Sequence, residues 1–428
     1  MTSANVNTDK KITFLSSDIP KDKASSQRTP LDIVIENEGD DSGKFFYRFI
    51  NKVLDVDNLL VLAGSGVSLT FNSISSDGIS YPPVAPSMWD LWHKCQVHDT
   101  AVFNQVLELV KYDKLQKSRE QDDSAKLDIE LLLSICDSTL ALGGLSSEDE
   151  ALVASFLKSA KTVILQATDF TEIIPLDKWK AHNKFIRTVA RRSAKQQRLK
   201  LFTTNYDLAF ENAASNTGLI VIDGFEYSSP SYFNPMWFNY DIVNRQQSND
   251  KGGMYLSNVL KLYKIHGSVD WRRVNGRVRK VAPSSEIGEP VFIYPSSAKY
   301  QSSYDSPYLD MMTAFLNAVQ QPRTAVLCLG FGFNDKHINN ALTMALRTNP
   351  EFMLMVATRS PFKEGGSFNP EVRKLLVDAI NEGDGRIAIA DATFDVFSDL
   401  LPERRSKTPE DDLFRAFETI AANIKVGA

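Results

Sequence analysis

Leu199-Lys200-Leu201-Phe202-Thr203-Thr204-Asn205-Tyr206-Asp207 begins as a short apolar run of period-2 character and passes directly into Thr, Thr, Asn and Asp. The later side chains hydrogen-bond rather than pack, so the stretch reads as a strand with polar groups crowded at its exit. In open α/β sheets ligands bind at that end, where the carboxyl ends of parallel strands open onto a crevice. Leu59-Leu60-Val61-Leu62-Ala63-Gly64-Ser65-Gly66 and Leu262-Tyr263-Lys264-Ile265-His266-Gly267-Ser268 share the design. Three such exits predict one shared site.

Further branched-aliphatic runs at 219–222, 259–265, 291–294, 325–329, 352–356 and 387–389 are bounded by turn residues. Continuous apolar runs suit strands buried on both faces, and helical patterns separate several of them. The expected fold is therefore α/β, a doubly wound, Rossmann-like parallel sheet formed by residues 43–86 and 199–400. Residues 87–198 carry successive helical stripes, such as Val102, Phe103, Val106 and Leu107, and read as a large helical insertion. Ser87 ahead of Asp90 resembles a capping box at its start. Residues 1–42 hold one short apolar piece and read as a flexible arm or a segment folding on a neighbour. Residues 401–428 read as a closing amphipathic helix. The segments 69–86 and 227–250 lack periodicity and are expected as a lid and as a lid or interface.

With 428 residues, 43% hydrophobic and 24% charged, the chain has material for a large core. A net charge of -5 opposes grip on nucleic acid through the overall field, so no direct nucleic-acid contact is expected. Cys95, Cys136 and Cys328 lie far apart with no C-x-x-C pair, which favours buried thiols over a disulfide framework or zinc ribbon. No run approaches the ~18 apolar residues of a membrane span, and the N-terminus lacks a signal pattern, so a cytoplasmic location without membrane contact is expected.

The chemistry is expected at the strand exits. Gly64-Ser65-Gly66-Val67-Ser68 lets the backbone turn tightly beside a diphosphate or ribose, although a tight turn without ligand explains a lone G-x-G as well. Asn205 and Asp207 alternate beside Thr204, where an amide and a carboxylate can orient water and steady a developing cation. His266 is the histidine at a strand exit; His93, His98, His182 and His337 fall in helical segments, where a satisfied or exposed imidazole is the expectation. Gly330-Phe331-Gly332-Phe333-Asn334-Asp335 again places glycines at a strand end, with Asn334 or Asp335 able to cap the next helix.

Taken in order, these stretches resemble the sirtuins. Gly64-Ser65-Gly66-Val67-Ser68 resembles the G-A-G-x-S loop, Thr204-Asn205-Tyr206-Asp207 is similar to T-x-N-x-D, and His266-Gly267 resembles the H-G bearing the general base. Gly330 to Asp335 resembles the late glycine motif that holds the adenosine ribose, and the similarity covers roughly 45–360. The resemblance implies catalytic roles for His266, Asn205 and Asp207. It implies NAD contacts for Ala63, Gly64, Ser65, Gly66, Ser68, Thr204, Gly330, Gly332, Asn334 and Asp335. Sirtuin deacylases carry a zinc ribbon with two C-x-x-C pairs, which this sequence lacks.

Zinc-free, sirtuin-like proteins with T-T-N-Y-D and a helical insertion resemble NAD-consuming effectors of bacterial antiphage defence. That resemblance implies a metal-independent NAD+ glycohydrolase with NAD as substrate, a homo-oligomeric assembly and a HerA-type ATPase partner. Two other readings stand beside it. One is a protein deacylase or ADP-ribosyltransferase, which would need an acylated peptide or label a protein; the other is a non-catalytic NAD or ADP-ribose sensing scaffold.

Overall fold

The apolar runs lie side by side in a computed structural model that describes residues 11–23, 25–34, 43–72, 84–113, 127–192, 196–245, 254–292 and 306–402. In chain order the strands are β1 (Lys11–Ser16), β2 (Leu31–Val34), β3 (Asn58–Ala63), β4 (Lys200–Thr203), β5 (Ile220–Ile222), β6 (Val243–Asn244), β7 (Met254–Tyr255), β8 (Val259–Lys264), β9 (Gly267–Val274), β10 (Arg277–Lys280), β11 (Glu289–Phe292), β12 (Thr324–Leu329), β13 (Met353–Thr358) and β14 (Ile387–Asp391). The main sheet has the order β2-β1-β14-β13-β12-β3-β4-β8-β5. From β14 through β5 every pairing is parallel. The chain steps from β3 toward β4 and β8, then returns to the other side of β3 with β12. The strand order thus reverses between β3 and β12, the place where doubly wound sheets open a crevice.

Strand periodicity sends alternate side chains to opposite faces. Leu59, Val61, Ala63, Leu201, Leu327 and Met355 pack on one side with α1 (Gly43–Asp55) and with the helices Lys180–Ala190, Ala209–Asn216 and Phe394–Leu400. Leu60, Leu62, Phe202, Val326, Cys328 and Val356 pack on the other with the helices Tyr308–Val319, Lys336–Thr348 and Pro370–Glu382. Helices on both faces make the sheet doubly wound, as its continuous apolar strands predict.

The helices after α1 are α2 (Ser65–Ser68), α3 (Met88–His98), α4 (Thr100–Leu109), α5 (Ile129–Leu142), α6 (Ser147–Thr168), α7 (Lys180–Ala190), α8 (Ala209–Asn216), α9 (Tyr308–Val319), α10 (Lys336–Thr348), α11 (Pro370–Glu382) and α12 (Phe394–Leu400). Helices α3 to α6 share a separate core built around Trp92, Phe103, Leu132, Leu133 and Phe156. The same core takes in Tyr206, Val269 and Phe292, so the helical block packs against the loop leaving β4. Ser87 and Asp90 do form the capping box that opens α3.

Three expectations need correction. Residues 11–34 are not a free arm: β1 pairs antiparallel with β14 and β2 with β1, burying Ile12, Phe14, Leu15 and Ile33. A segment too apolar-poor to fold alone gains its pairing and core from a sheet edge nearly 400 residues away, and local sequence does not reveal that partner. The insertion is also shorter than 87–198, because the buried face of α7 joins the sheet core and not that of α3 to α6. Arg192, just past α7, is buried and donates to the carbonyls of Leu54, Val56 and Asp57, which fastens this helix to the loop between α1 and β3. Finally, the strand expected at 291–294 pairs with β9 in a separate antiparallel sheet of order β10-β9-β11. Apart from Leu401 and Pro402, the closing helix expected at 401–428 lies outside the described residues, as does most of the lid expected at 69–86.

Candidate active site

Four neighbouring strands, β12, β3, β4 and β8, deliver Gly330, Gly64, Asn205 and His266 from their carboxyl ends. The two glycine loops meet first. Gly64 N–H donates to Leu329 O at 2.9 Å, and Gly66 N–H donates to Gly330 O at 3.0 Å. A Cβ on Gly66 would lie 2.6 Å from Gly330 Cα, and Gly330 itself adopts φ +54°. These glycines therefore allow two backbones to touch at the switch point. Their N–H groups are committed to the protein, so a dinucleotide at this turn would meet the exposed Ser65 between them.

The Thr-Thr-Asn-Tyr-Asp turn is held on that loop. Buried Ala63 accepts at its carbonyl from Thr203 Oγ1 and from the half-buried Thr204 N–H. Asn205 Nδ2 donates to Gly64 O at 3.0 Å and to Ser68 Oγ at 2.8 Å. Ser68 Oγ in turn donates to Asp207 Oδ2 at 2.7 Å, and Asp207 Oδ1 accepts from Ala209 N–H at the start of α8. Both protons of the Asn205 amide are thereby used. Asp207 is 7% exposed with both oxygens engaged. Its carboxylate ties the turn to Ser68 and to the start of α8.

Beneath the turn, Lys264 at the end of β8 is 2% exposed. Its Nζ donates to the carbonyls of Tyr206 and Asp207 and lies 3.1 Å from Glu211 Oε1. An unpaired buried ammonium would be strongly destabilising, so this lysine fixes the turn while the turn satisfies it.

His266, just past β8, is 4% exposed, with Nε2 3.2 Å from Asp335 Oδ2. Asp335 also caps α10, its Oδ1 accepting from His337 N–H and Ile338 N–H at 2.8 and 3.1 Å. Burial opposes its charge, but the His266 hydrogen bond and charge and the two backbone donors outweigh it and hold the carboxyl below the usual range. Asp335 is thus both the helix cap and the imidazole's partner. Asn334 is exposed beside it, and Gly332 sits against Ser367 O and the Asn334 side chain.

One further carboxylate comes from the helical block. Tyr206 Oη donates to Glu130 Oε1 at 2.8 Å, from the turn to the first residues of α5. No spacing in the sequence singles out Glu130, since only the packing of the block on Tyr206 brings it here. By contrast His182 is core: it is fully buried and stacks on Phe71 with ring centroids 4.3 Å apart. The three cysteines are free and buried, and burial pushes the Cys95 and Cys136 thiols up to about 12. Among the described residues no group of three or more His, Cys, Asp or Glu is placed to hold a metal ion. Among them, too, no helix is long and apolar enough to cross a membrane.

Comparison with known proteins agrees with the motif reading over part of the chain. The profile of the SIR2-like domain family matches residues 199–381, a span holding the Thr-Asn-Tyr-Asp turn, His266 and the Gly330–Asp335 loop. The matched stretch is less than half of the chain, and the Gly64–Ser68 loop lies outside it. No curated protein matches the sequence. Among solved structures, a Sir2 homologue mutant in complex with ADP-ribose aligns over 78% of this chain and 96% of its own. It does so at 10% identity and a TM-score of 0.30, a likeness too loose to bear on the site.

Proposed function

We propose that the chain is an NAD+ glycohydrolase, cleaving NAD to nicotinamide and ADP-ribose. The observation that carries this reading is the joining of three remote pieces of chain at one set of strand ends: Asn205 bound to Gly64 and Ser68, Gly66 bound to Gly330, and His266 bound to Asp335. The SIR2-like match over 199–381 supports a dinucleotide as the ligand.

The nicotinamide of NAD is already cationic, so it departs as a neutral ring when the bond to the ribose C1 breaks and its electron pair returns to nitrogen. The protein has to steady the oxocarbenium-like centre and present water to it. The Asn205 carboxamide oxygen orients the ribose hydroxyls or that water. As the new C–O bond forms, His266 takes the water's proton at Nδ1, since Nε2 faces Asp335. Asp335 steadies the imidazolium that forms. A place in antiphage defence, cytoplasmic residence, a HerA-type ATPase partner and homo-oligomerisation enter this proposal through the motif resemblance. The exposed Tyr227, Met236 and Tyr240 offer a surface for self-association.

The test is chromatographic separation of products after incubation with NAD, with and without the ATPase and DNA. Nicotinamide and ADP-ribose should accumulate with the parent chain and fall at least about 10²-fold with Asn205→Ala or His266→Ala. Equal turnover by either variant contradicts the assignment.

A further inference from the structure

We infer that the chain carries a second binding site, an aromatic hollow beyond the edge strand of the sheet that takes an arginine side chain from a basic partner protein. The site is separate from the crevice and independent of the hydrolase reading. The edge strand β5 ends at Ile222, and the chain loops out before a one-turn helix, Pro235–Asn239, brings Trp237 back toward that loop. Tyr227, Trp237 and Tyr240 line one open hollow of about 420 Å³ together with Glu226, Ser228 and Asn234. The rings stand nearly at right angles. Tyr227 and Trp237 meet at 86° with centroids 5.1 Å apart, and Trp237 and Tyr240 at 82° with centroids 5.3 Å apart. Tyr227 is 64% exposed and Tyr240 51%. Aromatic surface left open in a concave wall is a binding feature and not core.

Backbone hydrogen bonds hold the hollow in shape. Asn234 N–H donates to Gly224 O at 2.7 Å, Glu226 N–H to Tyr232 O at 3.0 Å, and Phe233 N–H to Val278 O of β10 at 2.9 Å. Asn234 Oδ1 accepts from Met236 N–H and so caps the turn that carries Trp237. A wall fixed in advance loses little entropy when a ligand arrives. Aromatic faces attract a cation, and the Glu226 carboxylate beside them adds a full negative charge. Its Oε2 accepts from Ser228 Oγ at 3.2 Å, and its Oε1 lies 3.9 Å from Nη2 of Arg277 in an exposed pair whose hold is weak. A carboxylate accepts several donors, so Glu226 has capacity for another. The chain itself shows which cation suits this carboxylate: the Arg277 guanidinium lies over the Tyr232 ring, its Cζ 3.8 Å from the centroid, while it faces Glu226. A planar guanidinium can stack on a ring and donate to a carboxylate at once, as a compact ammonium cannot. With a net charge of -5, the chain is complemented better by a basic partner than by a second copy.

The experiment titrates the full chain with the peptide acetyl-Gly-Arg-Gly-amide and follows the tryptophan indole N–H resonances by NMR. The Trp237 resonance is assigned by its loss in Trp237→Leu. It should move saturably, while that of the buried Trp271 stays in place. The matching citrulline peptide, equal in shape but neutral, should bind roughly fivefold or more weakly. Glu226→Gln should weaken the arginine peptide roughly threefold or more and leave the citrulline peptide unchanged. Tyr240→Leu, at an exposed ring, should also weaken the arginine peptide, and it serves should Glu226→Gln not fold. Equal binding of the two peptides, or a Trp237 resonance unmoved at millimolar peptide, overturns the inference. Self-association through the same rings is the competing use, and sedimentation separates the two. The peptide should leave the sedimentation of the chain unchanged, whereas an oligomer that the peptide dissociates gives the hollow to a second copy and overturns the assignment to a partner.

Discussion

His266 Nε2 and Asp335 Oδ2 lie 3.2 Å apart although β8 and β12, the strands that lead to them, are separated in the sheet by β4 and β3. The pair bridges the strand exits and places the imidazole where residues from all four strands converge. Replacing Asp335 separates its two duties. Asp335→Asn keeps a capping oxygen for α10 but removes the charge that favours imidazolium. The expected result is a melting temperature close to the parent's with NAD turnover reduced at least about tenfold, within the range of acid–base catalysis. Asp335→Ala should lose both, and calorimetry beside a product assay separates the two.

Ser68 is the hinge of the polar network, accepting a hydrogen bond from Asn205 and donating one to Asp207. Ser68→Ala should destabilise the chain by about 1–3 kcal/mol, the usual penalty for leaving buried polar groups unpaired. Because Asn205 then loses one of its two anchors, turnover should fall more than stability does. Denaturant unfolding and steady-state kinetics on the same preparation measure both effects.

At the switch point the contact between Gly66 and Gly330 leaves no room for a methyl group. Gly330→Ala adds a Cβ at a left-handed backbone position and drives it against Gly66, where the distance to the Cα would be 2.6 Å. A loss of about 2–5 kcal/mol is expected from strain and overpacking together. A folded variant of parental stability would show that the two loops do not meet at this point.

His182 supplies a pH signature independent of catalysis. Burial lowers its imidazole to about 3, beneath the unfolded value near 6.5. The folded chain therefore holds it neutral, and the unfolded chain binds a proton as pH drops below about 6.5. The stability it supports is complete above that point and declines as pH falls toward about 3, by up to about 1.4 kcal/mol per pH unit. His182→Phe should flatten this part of the stability profile, read by urea unfolding at successive pH values from about neutrality down to about 4.

Much of this architecture was readable in the sequence because each strand of the parallel sheet is buried on both faces. Runs such as Leu59–Leu62 and Ala325–Leu329 then stand out without help from alternation. The polar exits were legible for the same reason, since Thr, Asn, Asp and His directly after such runs have no role in the core. What escaped depends on contacts remote in sequence. The hairpin of β1 and β2 needs the edge of β14, α7 resembles its helical neighbours until its buried face meets the sheet, and β9 to β11 lie beyond the residues that mark the site. Glu130 and Lys264 were silent in different ways. Glu130 reaches the site only through the packing of α5 on Tyr206. Lys264 has the sequence setting of an ordinary strand end, and its support of the turn depends on carbonyls that β4 delivers from some 60 residues upstream.

The most direct measurement of the central claim is a crystal structure of the His266→Ala chain, its turnover blocked, soaked with NAD. The account predicts one dinucleotide spanning the strand ends, its nicotinamide ribose beside the Asn205 carboxamide and the space vacated by the imidazole, with its diphosphate at Ser65. NAD bound elsewhere, or excluded from this crevice at saturating concentration, would contradict it.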